Sequence, residues 1–471
     1  MKLTQLSLAC AISVALCLPL AAHGTDLTEI YHRALRSDPQ LREAEANRSA
    51  ALEAKPQALS ALLPQVTATG GYTHDDVNSV SPFTTLDAIT GNPVSTNVST
   101  TTRTNATAWA VTLRQTVFRW DQFATLRQSD ARAAQAEVDF RAAQQGIIVR
   151  TATAYFNVLA ARDTLDAAQA SGEAIGRQLE QAEKRFEVGL IAITDVEEAR
   201  AAADQAKATV IASKRTLATA RDQLREVTGD SFDELARPGD DMPLIAPDPA
   251  SEDQWVKAAL DQNFELSSAR IGADIAREAI SIARGGHLPT LDIVARRSGT
   301  QTSGDTTFFD ATGTGFPLGA DNGVHDKQIG LQLTVPIYAG GSTNSRVRES
   351  VYLHRAARER LERVARATER GTRDAYLGVI SEISRVTALK QSLESSRIAL
   401  TATEAGYDVG TRTAVDVLLA RQRLFDAQTS YARSRYDYVL NVLTLEQQAG
   451  TLDESRLARV NSWLGQTVSV K

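Results

Sequence analysis

The chain has 471 residues, 43% hydrophobic and only 6% aromatic, with 51 Lys and Arg against 57 Asp and Glu. That length holds two or three ordinary domains or one extended architecture. A net charge of −6 gives no sign of a protein that binds nucleic acid or another polyanion.

Residues 1–24 read as a secretory signal peptide. Lys2 supplies the positive start, 6–20 is mostly apolar, and Ala22-His23-Gly24 offers a small-x-small cleavage site before Thr25. The alternative is a retained anchor, for which the apolar run is shorter than the ~20 residues of a spanning helix. Both cysteines, Cys10 and Cys17, lie inside this segment, so the mature chain is expected to have no thiol for disulfides or metal. A lipidated start at Cys10 follows too short an apolar run, and bulky Leu16 argues against one at Cys17. No later segment reaches 18 consecutive apolar residues, so no transmembrane helix is expected.

After the signal the chain runs through two similar halves. The first, 25–247, starts with a helix carrying ALRSDPQL at Ala34. Beyond Pro64, Val66, Ala68, Gly70 and Tyr72 alternate with polar residues, and Trp109, Val111, Leu113 and Val117 do the same further on. This period of two predicts a pair of strands of roughly ten residues, with a Ser/Thr/Gly/Asp-rich loop near 76–104 between them. No proline falls between Pro93 and Pro238. That span is rich in helix formers, with Ile148, Tyr155 and Leu159, then Ile175, Leu179, Ala182 and Phe186, at helical spacing. Two very long helices meeting at Val188-Gly189 are predicted, with many alanines that permit close, coiled-coil packing. A Pro-rich stretch at 236–250 reads as a linker.

The second half, 248–471, repeats the order. ALDQNFEL at Ala259 and LPTL at Leu288 match ALRSDPQL and LPQV at Leu63 with an offset of 225 residues. Leu291, Ile293 and Ala295, then Ile329, Leu331, Leu333 and Val335, alternate as two more strands around a polar loop near 298–326. No proline follows Pro336. RFEVGLIAITDVEEAR from Arg185 and GYDVGTRTAVDVLLAR from Gly406 share six identities at a constant offset of 221. An internal repeat of this length is the dominant feature of the chain. The tail after Gly450 is short and carries no assigned role.

A soluble hairpin with one wet face would explain either strand pair alone. The signal, the missing transmembrane helix and the matched pairs together favour an outer-membrane barrel. Four strands cannot close a barrel, for which about eight is the minimum, and lipid tolerates no open sheet edge. The barrel must be shared between subunits, and three subunits give twelve strands.

TATAYFNVL, RFEVGLIAITDVEEARA, GHLPTLD, VPIYAGG and AGYDVGTRTAVDVL closely resemble the TolC-type outer-membrane efflux and secretion channels, over essentially the whole mature chain. The resemblance implies a mixed α+β membrane protein. In that fold each subunit gives four β-strands and long coiled-coil helices, trimerising into a 12-stranded β-barrel continuous with a periplasmic α-helical barrel. It implies no cofactor and a homotrimer in outer-membrane lipid, docked to a periplasmic adaptor and an inner-membrane transporter. Residue by residue, Thr194 and Asp195 match acceptors, and Tyr407 and Arg412 donors, of a polar network that keeps the periplasmic end shut. Gln178 and Glu404 match a further linking pair. Asp416 matches a pore-lining aspartate. Where a second aspartate is expected, this chain has Leu419, which leaves one acidic ring beside an apolar one and puts strong block by multivalent cations in doubt. Val188, Gly189, Leu190, Val409, Gly410 and Thr411 match the adaptor-contacting turns. Good turns or helix-start acids would explain several of these residues without any gating. Arg421 and Arg423 read as surface charges.

No enzyme is expected. The six histidines are scattered without metal-ligand spacing, GTGFPLG lacks phosphate-loop spacing, and no serine sits in a nucleophile elbow. The rival class is a surface coiled-coil protein, which explains the helices but neither the strand pairs nor the repeat.

Overall fold

In the computed structural model, residues 25–239, 241–309 and 313–470 are described, and the expected signal peptide lies outside them. The first half runs α1 (Leu27–Ser37), α2 (Pro39–Leu52), α3 (Ala54–Ser60), β1 (Gln65–Leu86), β2 (Pro93–Phe118), α4 (Trp120–Glu187), α5 (Ile193–Thr228) and β3 (Glu234–Pro238). The second runs α6 (Glu252–Gln262), α7 (Phe264–Gly285), β4 (Thr290–Phe309), β5 (Gly315–Gly319), β6 (Asn322–Thr334), α8 (Ser342–Asp408), α9 (Ala414–Gln448), α10 (Glu454–Asn461) and β7 (Leu464–Ser469). Each half contributes to two compact units. One holds 49–135 and 270–359; the other holds the described residues up to 48, with 136–269 and 360 onward.

The first unit holds the large sheet, with helical segments flanking its strands. β1 pairs β2, β2 pairs β4, and β4 pairs β6 and the short β5, all antiparallel. The register sets Val66, Leu113, Ala295 and Ile329 side by side on one face, and Thr67, Thr112, Arg296 and Gln328 on the other. One face is therefore apolar and the other polar, as a barrel wall between lipid and water requires. β1 and β6 are unpaired on their outer edges within the subunit. Expected strands of roughly ten residues prove to be 22, 26, 20 and 13 residues long. The Ser/Thr-rich stretches expected to be loops continue the ladder, because β-branched threonines suit extended backbone and need no apolar partner where both faces are wet. The β1–β2 turn is only Asp87–Asn92, where Asp87 Oδ1 accepts from Ile89 N at 2.9 Å and Thr90 N at 2.7 Å. The break in alternation at Gln115–Val117 coincides with a register shift between Thr116 and Phe118. Beside it, the carboxylate of Asp292, 2% exposed, accepts four hydrogen bonds from Arg114 and Arg119 at 2.6–3.2 Å. It clamps the end of β2 to the start of β4 with charge-assisted bonds.

The second unit is helical. α4 and α8 run 68 and 67 residues, as the proline-free spans predicted. The single helix expected at the start of each half is broken: Asp38 and Asn263, equivalent under the 225-residue offset, interrupt it. Each caps the next helix, Asp38 Oδ2 accepting from Leu41 N at 3.3 Å and Asn263 Oδ1 from Leu266 N at 3.0 Å. The core forms around Ile147, Tyr155, Phe156 and Leu159 of α4 with Tyr438, Val439 and Leu443 of α9. The expected linker and the tail without a role are both built in. Glu234–Pro238 pairs with Leu464–Ser469, the Tyr155 hydroxyl donates to Ala236 O, and Arg435 donates to Pro238 O and Gly239 O at 2.7 and 2.6 Å. Leu27 N donates to Asn461 Oδ1 at 3.0 Å, tying the chain's start to α10.

Candidate gate at the hairpin tips

α4–α5 and α8–α9 are helical hairpins, and their turns close identically. Gly189 N donates to Phe186 O at 2.8 Å and Leu190 N to Arg185 O at 2.9 Å; Gly410 N donates to Tyr407 O at 3.0 Å and Thr411 N to Gly406 O at 2.8 Å. This is the Schellman pattern, which needs a left-handed residue at its centre. Gly189 has φ 77° and Gly410 φ 79°, so these two glycines are demanded by backbone sterics. Below each turn the helices pack on equivalent small knobs: Val196 and Ala199 with Leu179, and Val417 and Ala420 with Leu400. Val188, Leu190 and Val409 stand out of the turns at 70%, 72% and 75% exposure.

Each hairpin carries one ion pair across its two helices. Arg200 Nη2 donates to Glu183 Oε1 at 3.2 Å, and Arg421 Nη2 to Glu404 Oε1 at 2.5 Å. The pairs are equivalent under the 221-residue offset, yet their surroundings differ. The Arg200 side chain is 50% exposed and that of Arg421 only 21%. Arg421, expected as a surface charge, is thus a half-buried brace of the second hairpin. Sequence reasoning missed both pairs, although opposite charges 17 residues apart in both copies were there to be read.

The helix starts differ more. At α9, Thr413 Oγ1 accepts from Asp416 N at 3.2 Å, while Asp416 Oδ2 accepts from Thr413 N and Thr413 Oγ1 at 2.9 Å each, a complete capping box. The backbone N–H of Thr413, then its hydroxyl, holds the Asp416 carboxyl below its ordinary pKa. At α5 the N-cap is Ala192, with no side chain to offer. Asp195 therefore occupies the same place without a capping partner, and among the described residues neither its side chain nor that of Thr194 makes a hydrogen bond or ion pair within the subunit.

Near the tips, two side-chain contacts link one hairpin to the other. Gln178, 6% exposed, donates from Nε2 to Ala414 O at 3.3 Å, while its Oε1 is buried without a partner. The Arg185 guanidinium lies 4.9 Å from the centre of the Tyr407 ring, a cation–π contact that sequence reasoning did not find. Gln178 and Glu404 are not hydrogen-bonded to each other in the subunit; each meets the partner just named. Arg412 makes no side-chain hydrogen bond or ion pair among the described residues. Its stem lies close over Gly406, where a Cβ would fall 2.8 Å from Arg412 Cγ. Leu419 is 52% exposed, one turn beyond Asp416.

Among the described residues no group of three or more His, Cys, Asp or Glu side chains is placed to hold a metal, and no helix is long and apolar enough to cross a membrane.

The family model described as outer membrane efflux protein matches residues 30–230 and 255–451. Outer membrane protein TolC of Escherichia coli K12 is 37% identical over 455 residues, covering 95% of this chain and 87% of that protein. TolC of Vibrio cholerae is 36% identical, covering 94% and 95%. The alkaline protease secretion protein AprF of Pseudomonas aeruginosa is 27% identical, covering 93% and 87%. Among solved structures, the CmeC outer membrane channel of Campylobacter jejuni superposes with a TM-score of 0.69 at 17% identity, over 93% of this chain and 90% of that one.

Proposed function

The chain belongs to the outer membrane efflux protein family, and we propose that three copies close one duct whose periplasmic end is latched by the hairpin tips. Relatives are named for efflux and for protease secretion, so the duct serves as the outer-membrane exit for pump-driven export of small toxic compounds, proteins or both. A periplasmic adaptor docks on the exposed Val188–Leu190 and Val409–Thr411 turns, and an inner-membrane transporter supplies the energy.

One observation carries the shared barrel: an apolar-faced sheet of four long strands with two unpaired edges, which lipid forbids unless neighbouring subunits complete it. The latch is supported by what the tips leave unpaired. Thr194 and Asp195 on the first hairpin, and Arg412 on the second, make no side-chain hydrogen bond or ion pair in their own subunit, Arg412 acting on Asp416 only through its charge, and they are of opposite kind. Arg412 donating to Thr194 and Asp195 of the next hairpin in the ring, with Tyr407 beside it, makes a charge-assisted contact. At ~1 kcal/mol each when semi-exposed, such bonds are breakable by a docking adaptor. Asp416 lines the narrowest point, with Leu419 next to it as an apolar ring.

The test is single-channel conductance of the purified trimer in a planar bilayer, beside Tyr407→Phe/Arg412→Ser. A small, cation-preferring current that grows several-fold, roughly 3- to 10-fold, in the double variant is expected. Unchanged conductance removes the latch, and no current from a folded trimer removes the duct.

A further inference from the structure

Two cationic side chains stand directly opposite each other on the apolar face of the sheet. Arg297 of β4 and Lys327 of β6 are cross-strand partners, level with Ala68 and Val111. Like charges directly opposite are destabilising, and neither side chain makes a hydrogen bond or ion pair among the described residues. No Asp or Glu shares this face from the level of Phe118 to that of Tyr72; Asp76, higher up, is already paired with Arg103 at 3.1 Å. The next level up holds Trp109, Gly299 and His325. A Cβ on Gly299 would fall 2.6 Å from Trp109 Nε1 and 2.9 Å from His325 Nδ1, so both rings lean over this glycine. The indole N–H of Trp109 has no acceptor among the described residues. An Arg, a Lys, an indole N–H and an imidazole thus occupy two adjacent levels of one face with no anion among them.

Their height fits a membrane boundary. Phe118 and Trp109 are nine residues apart on β2, which at ~3.3 Å per residue and a tilt of ~40° is about 23 Å of barrel wall. That matches the ~25 Å apolar band between two aromatic girdles. Arg297 and Lys327 sit one level inside the girdle of Trp109 and Tyr72, on the side of the Asp87–Asn92 turn. Their stems can lie along the apolar wall while the heads rise to the boundary.

We propose that Arg297, Lys327, Trp109 and His325 bind the phosphate groups of a phosphorylated outer-leaflet glycolipid, once per subunit. This goes beyond export and rests only on the sheet standing in the outer membrane. The phosphate supplies the counter-charge that the two strands lack. The guanidinium takes two phosphate oxygens, the ammonium a third, and the indole N–H adds a neutral donor.

Native mass spectrometry of the full-length trimer, incubated in detergent with defined lipids, tests this. Bisphosphorylated lipid A is expected to be retained about 10-fold better than its dephosphorylated form or phosphatidylglycerol. Arg297→Gln/Lys327→Gln should lose that preference, and Arg297→Lys/Lys327→Arg, which keeps both charges, should hold it. Retention that ignores the phosphates, or retention unchanged in the Gln pair, overturns the proposal. Conductance of the same samples reports on the duct separately, so a failed duct and a failed lipid site give different results.

Discussion

The two hairpin tips have nearly the same backbone and opposite commitments of their acidic residues. Both close on a Schellman turn around a left-handed glycine, and both carry the Glu–Arg brace. In the second, Thr413 draws the Asp416 carboxylate into its own helix start. In the first, alanine stands at the equivalent position and Asp195 keeps its acceptors free. A duplicated element has thus been divided into a self-contained tip and one that presents an open acceptor. Such division suits a ring in which unlike hairpins alternate, because each interface then joins a donor to an acceptor rather than like to like.

The largest effect should come from removing the braces. Arg421 is half-buried against Glu404, whereas Arg200 is half exposed and also near Glu197 at 3.4 Å. Removing one partner of a shielded ion pair costs far more than removing a surface one. Arg421→Ala is expected to speed backbone hydrogen exchange around the α8–α9 turn about 10-fold, and Arg200→Ala to speed it around the α4–α5 turn no more than about 2-fold. Equal acceleration in the two variants would show that the braces are alike despite their surroundings.

Exchanging the caps comes next. Thr413→Ala removes the hydroxyl from the box, and should speed exchange in the first turn of α9 about 5-fold. Ala192→Thr offers Asp195 the box that Asp416 already has. It is expected to slow exchange at the start of α5 about 3-fold while raising channel conductance, since the acceptor is drawn away from its neighbour. A tighter helix start with unaltered conductance would remove Asp195 from the latch.

Most of the tip was legible in the sequence, because glycine is the only residue comfortable at positive φ and the 221-residue offset aligned everything else. The Glu183–Arg200 and Glu404–Arg421 braces were within reach of the same alignment. Arg185 over Tyr407 was not, since Gly406 occupies the equivalent place and the contact depends on how two separate hairpins lie together. The upper strands were hidden for another reason. From Thr100 to Thr104 polar residues fill both faces, so the hydrophobic period of two disappears although the ladder continues. β3 and β7 escaped notice because five or six residues pairing across half of the chain leave no local pattern. Asp38 and Asn263 break their helices through side-chain caps, which the aligned ALRSDPQL and ALDQNFEL already contained.

The smallest effect distinguishes the acids by titration. Asp416 is held below its ordinary pKa by Thr413, through the backbone N–H first and the hydroxyl second. A carboxylate depressed in the folded state stabilises it above the unfolded value, near 4 for aspartate, and that contribution is lost as pH falls through the lower folded value. If Asp416 forms the acidic ring, cation preference should hold constant from pH 7 to about 5 and fade only below about pH 4. In Thr413→Ala the backbone N–H remains but the hydroxyl is gone, so fading should begin at a slightly higher pH. Reversal potentials of single channels across a potassium chloride gradient measure this directly. Superimposable curves for the two proteins would mean that the capping box does not reach the ring. Preference lost well above pH 5 would assign the selectivity to groups other than Asp416, and the self-contained tip would then be a structural element with the pore chemistry elsewhere.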